Sequence, residues 1–280
     1  MNFIKPKSLA ELLQNINEVS NSKRYFLAGG TDLNVQIKNG TISEGKIIYI
    51  NHIDEFKGIK KDSENIEIGA LSTFDEIINS KLIKSEISFL SESLRYFASP
   101  LIRTIATIGG NIANASPTND VTPPLLVLNA SLKLISLNGE RIIPLSNFYK
   151  GYKIIDLRND EIIKSIIIPK IDMSEYLTFY EKIGARKTLT ISKATMTGLM
   201  KKENGKIADI KLAVGSLNEF PRRLSKLENY LSGIIIDDIS SQKIAEILKS
   251  EISPISDLRS DKDYRFQVCL NLIIDFVLGY

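Results

Sequence analysis

Glycine doublets occur at two places in this chain, Gly29-Gly30 and Gly109-Gly110, about eighty residues apart. Each follows an apolar stretch and precedes small polar residues. Without a Cβ, glycine admits positive φ and lets backbone or a ligand come close to its amide. Consecutive amides turned to one side form a concave anion site that suits a diphosphate, with no lysine or arginine required. Thr31 and Asn111 add side-chain donors beside the doublets. A doublet after a strand is also an ordinary tight turn, so the residues alone leave both readings open. Two better-known phosphate loops are excluded. Neither doublet leads into Gly-Lys-Ser/Thr, and Gly29-Gly30-Thr31-Asp32-Leu33 lacks the G-x-G-x-x-G spacing of a Rossmann turn.

Around the doublets the chain reads as short strands and short helices. Ser8-Leu9-Ala10-Glu11 is a capping-box sequence, and Leu9, Leu12, Leu13 and Ile16 give the helix that follows one apolar face. Residues 25–27 read as a strand running into the first doublet, and 47–50 and 66–68 as further strands. Thr73 to Glu76 spells a second capping box, and 89–97 a helix ending before Pro100. Residues 107–114 mix Ala and Ile with Gly and Asn and read as a buried irregular loop. Leu132, Leu134 and Leu137, then Asn138-Gly139 and Ile142-Ile143, predict a hairpin with a type I′ turn. Strands are expected at 162–169, 177–182 and 207–214, and helices at 241–252 and the C-terminus. The last of these places Tyr264, Val268, Cys269, Leu272, Ile273 and Phe276 on one face. Strands and helices segregate, so the fold class is α+β. A length of 280 residues suits two domains.

Composition removes several function classes. A net charge of +3, with lysines in isolated pairs such as Lys60-Lys61 and Lys201-Lys202, gives no nucleic-acid footprint. Cys269 is the only cysteine, which excludes a disulfide framework, a structural zinc site and a cysteine-ligated iron–sulfur cluster within this chain. It reads as a buried structural thiol. His52 is the only histidine, which argues against a histidine metal site. No apolar run has signal-peptide or membrane-span length, so no membrane span and a cytoplasmic location are expected.

Read at full length, the doublets are more specific. The stretch Leu27-Ala28-Gly29-Gly30-Thr31-Asp32-Leu33-Asn34 resembles the first FAD loop of the molybdenum hydroxylase flavoproteins. Residues 103–120 resemble the second loop over eighteen positions, and the spacing is typical of that family. The likeness extends to Phe3-Ile4-Lys5-Pro6, to Ile68-Gly69-Ala70-Leu71, and to Ser253-Pro254 through Arg259 with Tyr264-Arg265. It implies a vanillyl-alcohol-oxidase-type FAD-binding domain of two α+β subdomains over residues 1–170. A small C-terminal α+β domain over 171–280 would follow.

Position by position, the resemblance implies that Leu27 through Asn34 wrap the FAD pyrophosphate. It places Thr107, Ile108, Gly109, Gly110 and Asn111 against the pyrophosphate and the flavin. Asp120 matches an acid that hydrogen-bonds the cofactor, a loop cap being the alternative. Phe97 matches an aromatic beside it, with core packing as the alternative. Lys182 matches a lysine close to FAD, with a solvated strand lysine as the alternative. Arg186 and Lys187 fall on a stretch that shapes the flavin's exposed side in relatives. Asp32 is acidic beside a diphosphate, and capping of local amides by its carboxylate would reconcile the two.

The same resemblance implies a role. A molybdopterin-binding large subunit oxidises the substrate, an iron–sulfur small subunit with [2Fe-2S] clusters forwards electrons, and FAD on this chain passes them to NAD or another acceptor. A xanthine dehydrogenase-like complex is expected, with no catalytic side chain assigned here. Two other readings stand beside it: a stand-alone FAD oxidoreductase of the same fold, and an assembly module without cofactor.

Overall fold

The computed structural model describes residues 1–186 and 189–279. The first layer is a parallel sheet made from β1 (Asn2–Ile4), β2 (Arg24–Leu27) and β3 (Lys46–Tyr49), in the order β1-β3-β2. Between its strands lie α1 (Leu9–Glu18) and α2 (Leu33–Lys38). Ser8 caps α1 by accepting from the Glu11 amide, and the Glu11 carboxylate accepts from the Lys7 N–H. Leu12, Leu13 and Ile16 of α1 pack with Ile48, Ile50 and Phe56 into one small core. Phe56 lies in the connection that leads to the second sheet, so the first layer is fastened to its neighbour by that ring.

The second sheet is antiparallel, in the order β4-β5-β10-β6-β7. Its strands are β4 (Ile59–Lys61), β5 (Asn65–Gly69), β6 (Ser131–Ser136), β7 (Gly139–Pro144) and β10 (Ile162–Pro169). The chain leaves β5 through six short helices before returning as β6. These are α3 (Phe74–Asn79), α4 (Lys81–Glu86), α5 (Ser88–Leu94), α6 (Pro100–Arg103), α7 (Ile108–Ala113) and α8 (Thr122–Val127). Thr73 and Glu76 form the expected capping box on α3. The small hairpin β8 (Tyr149–Gly151) and β9 (Ile154–Ile155) precedes β10. Isoleucines and leucines at 66, 68, 132, 134, 166 and 168 meet Phe74, Ile77, Leu90, Ile108, Ile112 and Leu125 in the largest core.

The third sheet is antiparallel: β11 (Leu177–Ile183), β12 (Ala194–Glu203), β13 (Lys206–Gly215) and β14 (Arg222–Arg223). It is packed with α9 (Ser225–Leu231), α10 (Ser241–Lys249) and α11 (Lys262–Leu278). Gly198 on β12 has a packing reason: a Cβ there would lie 2.4 Å from the Phe276 ring of α11. Full burial of Phe276 contributes about 1.5–3 kcal/mol by area removed from water. Cys269 is fully buried beside it, and burial pushes its thiol pKa up, as a structural thiol requires.

Four local expectations need correction. Residues 107–114 form α7 rather than an irregular loop, because tertiary hydrogen bonds fix its first turn and override the low helix propensity of its glycines. The helix expected over 89–97 ends at Leu94, and Phe97 lies beyond it, before Ala98 at φ 46°. The β6–β7 hairpin is present, but its two-residue turn is Leu137-Asn138 and neither has positive φ, so it is not type I′. Positive φ falls instead on Gly139, at 118°. On α11, Tyr264 is 43% exposed and Arg265 is 2% exposed. Arg265 donates to the carbonyls of Lys193 and Ser216 and to the Asp257 carboxylate, so its buried charge is answered. Hydrophobic periodicity cannot register such a residue.

Glu67 on β5 sits in a similar network. Burial disfavours its charged form, but hydrogen bonds from Ser165 and Lys133, the Lys133 charge and the Lys60 contact outweigh that and hold its pKa at about 2. A carboxylate depressed in the folded chain adds stability above its unfolded pKa and loses it as pH falls through the folded value. Stability should therefore decline between about pH 4.5 and pH 2. Glu67→Gln should remove on the order of 1 kcal/mol of that decline once solvent screening is allowed for. Urea unfolding of both proteins at pH 7, 4 and 3 measures it; parallel pH profiles would contradict the assignment.

Candidate cofactor cleft

The two glycine loops are brought together by close backbone contact. A Cβ on Gly29 would lie 1.7 Å from the Ile105 carbonyl oxygen, so no other residue fits there without moving one loop. Gly109 is equally confined: its Cβ would fall 2.6 Å from Ala70 Cβ and 2.8 Å from the Ala70 oxygen. Gly30 takes φ 70°, the left-handed conformation that ends β2 and starts the turn into α2. Gly110 is exposed, and a Cβ there would meet only Thr107 Oγ1, at 2.9 Å. The doublets thus divide the work: the first glycine of the earlier pair and of the later pair packs, and the second in each opens a bend or a surface.

Between the loops runs a cleft of about 850 Å³, within the range of small-molecule sites, roughly 300–1,000 Å³. Of the expected site residues, Ala28, Gly29, Gly30, Thr31, Asp32, Leu33, Phe97, Thr107, Gly109, Gly110, Asn111 and Asp120 line it. Leu27, Asn34, Ile108 and Lys182 do not. Leu27 ends β2, Asn34 bonds back to the Gly30 carbonyl, and Ile108 is fully buried in the main core. Lys187 lies outside the described residues. Arg186 borders a separate pocket with Lys193 and Arg259.

The amides of the two loops differ in state. Among the described residues, the N–H groups of Gly29, Gly30, Thr31, Asp32 and Leu33 have no protein acceptor. Those of the later loop are engaged: Ile108 with the Ser72 carbonyl, Gly109 with Ala70, Gly110 with Thr107 Oγ1 and Asn111 with the Thr107 carbonyl. A row of free main-chain donors on both loops, as the sequence led us to expect, is therefore found on the first loop only. The later loop offers side chains instead. Asn111 Oδ1 is buried and has no partner among the described residues, which marks a polar contact left for a ligand. Its cap, Thr107, is 4% exposed.

The carboxylates at the cleft each have a side-chain partner, neutral for Asp32 and cationic for Asp120. Asp32 makes no capping bond to its helix; its carboxylate accepts from Gln36 Nε2 one turn on, so the expected capping role is replaced by a side-chain pair. Asp120 is not a loop cap either, since Asn119 Oδ1 takes the Val121 and Thr122 amides at 2.9 and 3.2 Å. Asp120 pairs with Lys182 Nζ at 2.6 Å and accepts from Thr195 Oγ1 at 3.1 Å. Lys182 is not a solvated strand lysine: its side chain is 6% exposed, and it also donates to the Tyr96 carbonyl. Tyr180 closes the cluster beneath, its phenol pKa raised well above the ordinary value, chiefly by burial and next by the Asp120 charge. Phe97 stands between the two readings given for it, lining the cleft while packing on Phe74 with ring centroids 4.3 Å apart.

Sequence reasoning missed the far end of the cleft. Arg24, Lys153, Asn159 and Ile162 line it, from β2, from the β8–β9 turn, from the segment after β9 and from the start of β10. Arg24 directly precedes the apolar strand of the first loop, a position that a search for glycine and aromatic signals passes over.

With this geometry in hand, comparison with known proteins is decisive. Residues 1–171 match the FAD binding domain in molybdopterin dehydrogenase, and residues 179–279 match the CO dehydrogenase flavoprotein C-terminal domain. The chain belongs to this flavoprotein family. It is 30% identical to the glyceraldehyde dehydrogenase medium chain of Sulfolobus acidocaldarius, covering 95% of this chain and 93% of that one. It is 26% identical to the xanthine dehydrogenase FAD-binding subunit of Escherichia coli O157:H7, covering 92% and 89%. The solved carbon monoxide dehydrogenase of Hydrogenophaga pseudoflava, which lacks the Mo-pyranopterin moiety, superposes with a TM-score of 0.89 at 25% identity. That match covers 98% of this chain and 94% of the other. The flavoprotein is thus an FAD-binding medium subunit of the molybdenum hydroxylase type, an oxidoreductase component with an α+β fold. Among the described residues no helix is long and apolar enough to cross a membrane.

The Asp120–Lys182 pair joins the loop after α7 to β11, and its contribution is separable from cofactor contact. Lys182→Met leaves a carboxylate buried against Thr195 alone and should destabilise the flavoprotein by about 3 kcal/mol. Combining it with Asp120→Asn should recover most of that loss. Urea denaturation of the two single variants and the double variant completes the cycle; additive losses would show that the two groups do not interact.

Proposed function

We propose that this flavoprotein holds FAD across the cleft and relays electrons from iron–sulfur clusters on a partner subunit to NAD or another acceptor. The complex would be xanthine dehydrogenase-like and cytoplasmic, with a molybdopterin-binding large subunit as the site of substrate oxidation. Residues 1–170 form the FAD-binding part and 171–280 the C-terminal part in this reading. The observation that carries it is the row of amides from Gly29 to Leu33 without acceptors among the described residues, facing a loop whose own amides are satisfied. Such a row fits a diphosphate, which brings acceptor oxygens and negative charge but no donors. Thr31 and Asn111 would add side-chain contacts, and Phe97 would stand beside the ring system.

When bound, FAD supplies the two-electron chemistry; the chain supplies orientation, exclusion of water and local charge. The Asp120 charge is answered by Lys182, whereas Asp32 is exposed, where water screens it, and is turned toward Gln36. Hydride transfer needs no protein acid or base, so no catalytic side chain is assigned. The single cysteine supports clusters on other polypeptides, since a [2Fe-2S] centre takes four ligands. Both glycine loops are intact, which favours this reading over a cofactor-free module. His52 stacks on Tyr49 and bonds the Pro6 carbonyl, and Cys269 is in the C-terminal core, so neither borders the cleft as a covalent flavin link requires.

Purified full chain should be yellow and should release intact FAD on denaturation. Gly110→Val should lose the flavin absorbance while circular dichroism remains that of a folded protein, since the new side chain enters the cleft at an exposed position. Folded, colourless wild-type protein that takes up no added FAD would refute the proposal. Co-purification with a molybdenum-containing and an iron–sulfur subunit, checked by metal analysis, tests the assembly.

A further inference from the structure

We propose that Arg24 recognises the adenosine half of the dinucleotide and so makes the cleft selective for FAD over flavin mononucleotide, an inference that rests on the cleft being the FAD site. Arg24 opens β2 and the first doublet follows the end of that strand, so the two features lie at opposite ends of one element. Both border the same cleft. A diphosphate at the doublet therefore has one half of its ligand directed toward Phe97 and Asp120 and the other toward Arg24.

The Arg24 guanidinium is built for an external partner. Its Nη1 donates to the Ser20 carbonyl at 3.2 Å and its Nη2 to the Asn159 carbonyl, which fixes the plane of the group. Its Nε is buried and has no partner among the described residues. No carboxylate there pairs with it, whereas Lys23 beside it is matched by Glu44 at 3.0 Å. Burial lowers the Arg24 pKa, and the more distant Asp160 charge only partly offsets this. A half-buried cation with a buried, unpartnered Nε, answered by two carbonyls and by the Phe26 ring 5.9 Å away but by no carboxylate among the described residues, is an arrangement that a ligand would complete. Adenosine supplies what is missing, with ring-nitrogen and ribose-oxygen acceptors and a flat purine on which a guanidinium stacks. Tyr25, Ile42 and Leu157 add aromatic and apolar wall at this end. Flavin mononucleotide ends at its single phosphate and has no group to place there.

The test is titration of flavin-stripped full chain with FAD and with flavin mononucleotide, followed by flavin fluorescence. Arg24→Met should weaken FAD binding by about ten- to a hundredfold, the usual effect of losing a charged hydrogen bond. It should leave the mononucleotide within about threefold of wild type. AMP should compete with FAD for wild type and much less for Arg24→Met. Arg24→Lys, which keeps the charge and loses the planar fork, should fall between. Unchanged FAD affinity in Arg24→Met would overturn the proposal. So would equal losses for both flavins, which would indicate a structural role or the reverse orientation of the ligand. If Arg24→Met does not fold, the Arg24→Lys ratio of the two affinities decides: a ratio equal to wild type rejects the proposal. Wild-type protein that binds neither flavin would instead defeat the underlying reading of the cleft.

Discussion

The contact between Gly29 and the Ile105 carbonyl is the constraint on which the cleft depends. It presses the turn after a parallel strand onto a segment about eighty residues later, at a distance only a residue without Cβ allows. Gly109 repeats the device against Ala70, the residue that follows β5. The first contact sets the turn of the parallel layer against the helical connection of the antiparallel one, and the second holds α7 against the end of β5. The cleft is what remains between them. Side-chain packing around Phe56 supports the arrangement, and Phe56 itself reaches the cleft wall with Ile50 and Leu71.

From those contacts follows an unequal division between the loops. The later loop spends its amides on the protein: on Ser72, Ala70 and Thr107. That is why its glycine-rich sequence becomes a short helix, and why it is rigid enough to serve as a wall. The first loop meets its neighbour without hydrogen-bonding to it, and five consecutive N–H groups from Gly29 to Leu33 have no acceptor among the described residues. Free donors next to a rigid wall are the physical content of a diphosphate site. Of the nearby carboxylates, Asp120 is neutralised by Lys182, and Asp32 is exposed to screening water and turned toward Gln36.

Much of this was legible in the residues, and the failures have identifiable causes. The strand before Gly29, the capping boxes at Ser8 and Thr73, and the strand over 162–169 show in the sequence because each is set by local chemistry or short-range period. The α7 helix did not show, because Gly109, Gly110 and Asn111 argue against helix locally and only contacts with Ala70 and Ser72, far off in sequence, reverse that. The same cause hid Arg265, whose burial is licensed by Lys193, Ser216 and Asp257 on other segments. Strand β12 went unnoticed because it is buried along most of its length, so period-2 alternation is lost, and it carries Gly198 for the sake of a ring on α11. Of the site residues, the four glycines of the doublets and Asn111 reached the cleft, Asn34 did not, and Lys182 proved to act through Asp120.

That last point alters how the C-terminal sheet should be viewed. Lys182 on β11 and Thr195 on β12 together hold the Asp120 carboxylate, and Tyr180 donates to the Asp120 carbonyl from below. Lys182 also grips the Tyr96 carbonyl, the residue before Phe97. Two wall residues of the cleft, Asp120 and Phe97, are therefore placed by side chains from the third sheet. A sheet that contributed only bulk would make apolar contacts, and this one sends a buried lysine across the boundary at the cost of its hydration. The expense is intelligible only if the wall must be held in one position. Charge pairing does that better than apolar packing, because an ion pair with two further hydrogen bonds has one low-energy geometry where packed methyl groups have several.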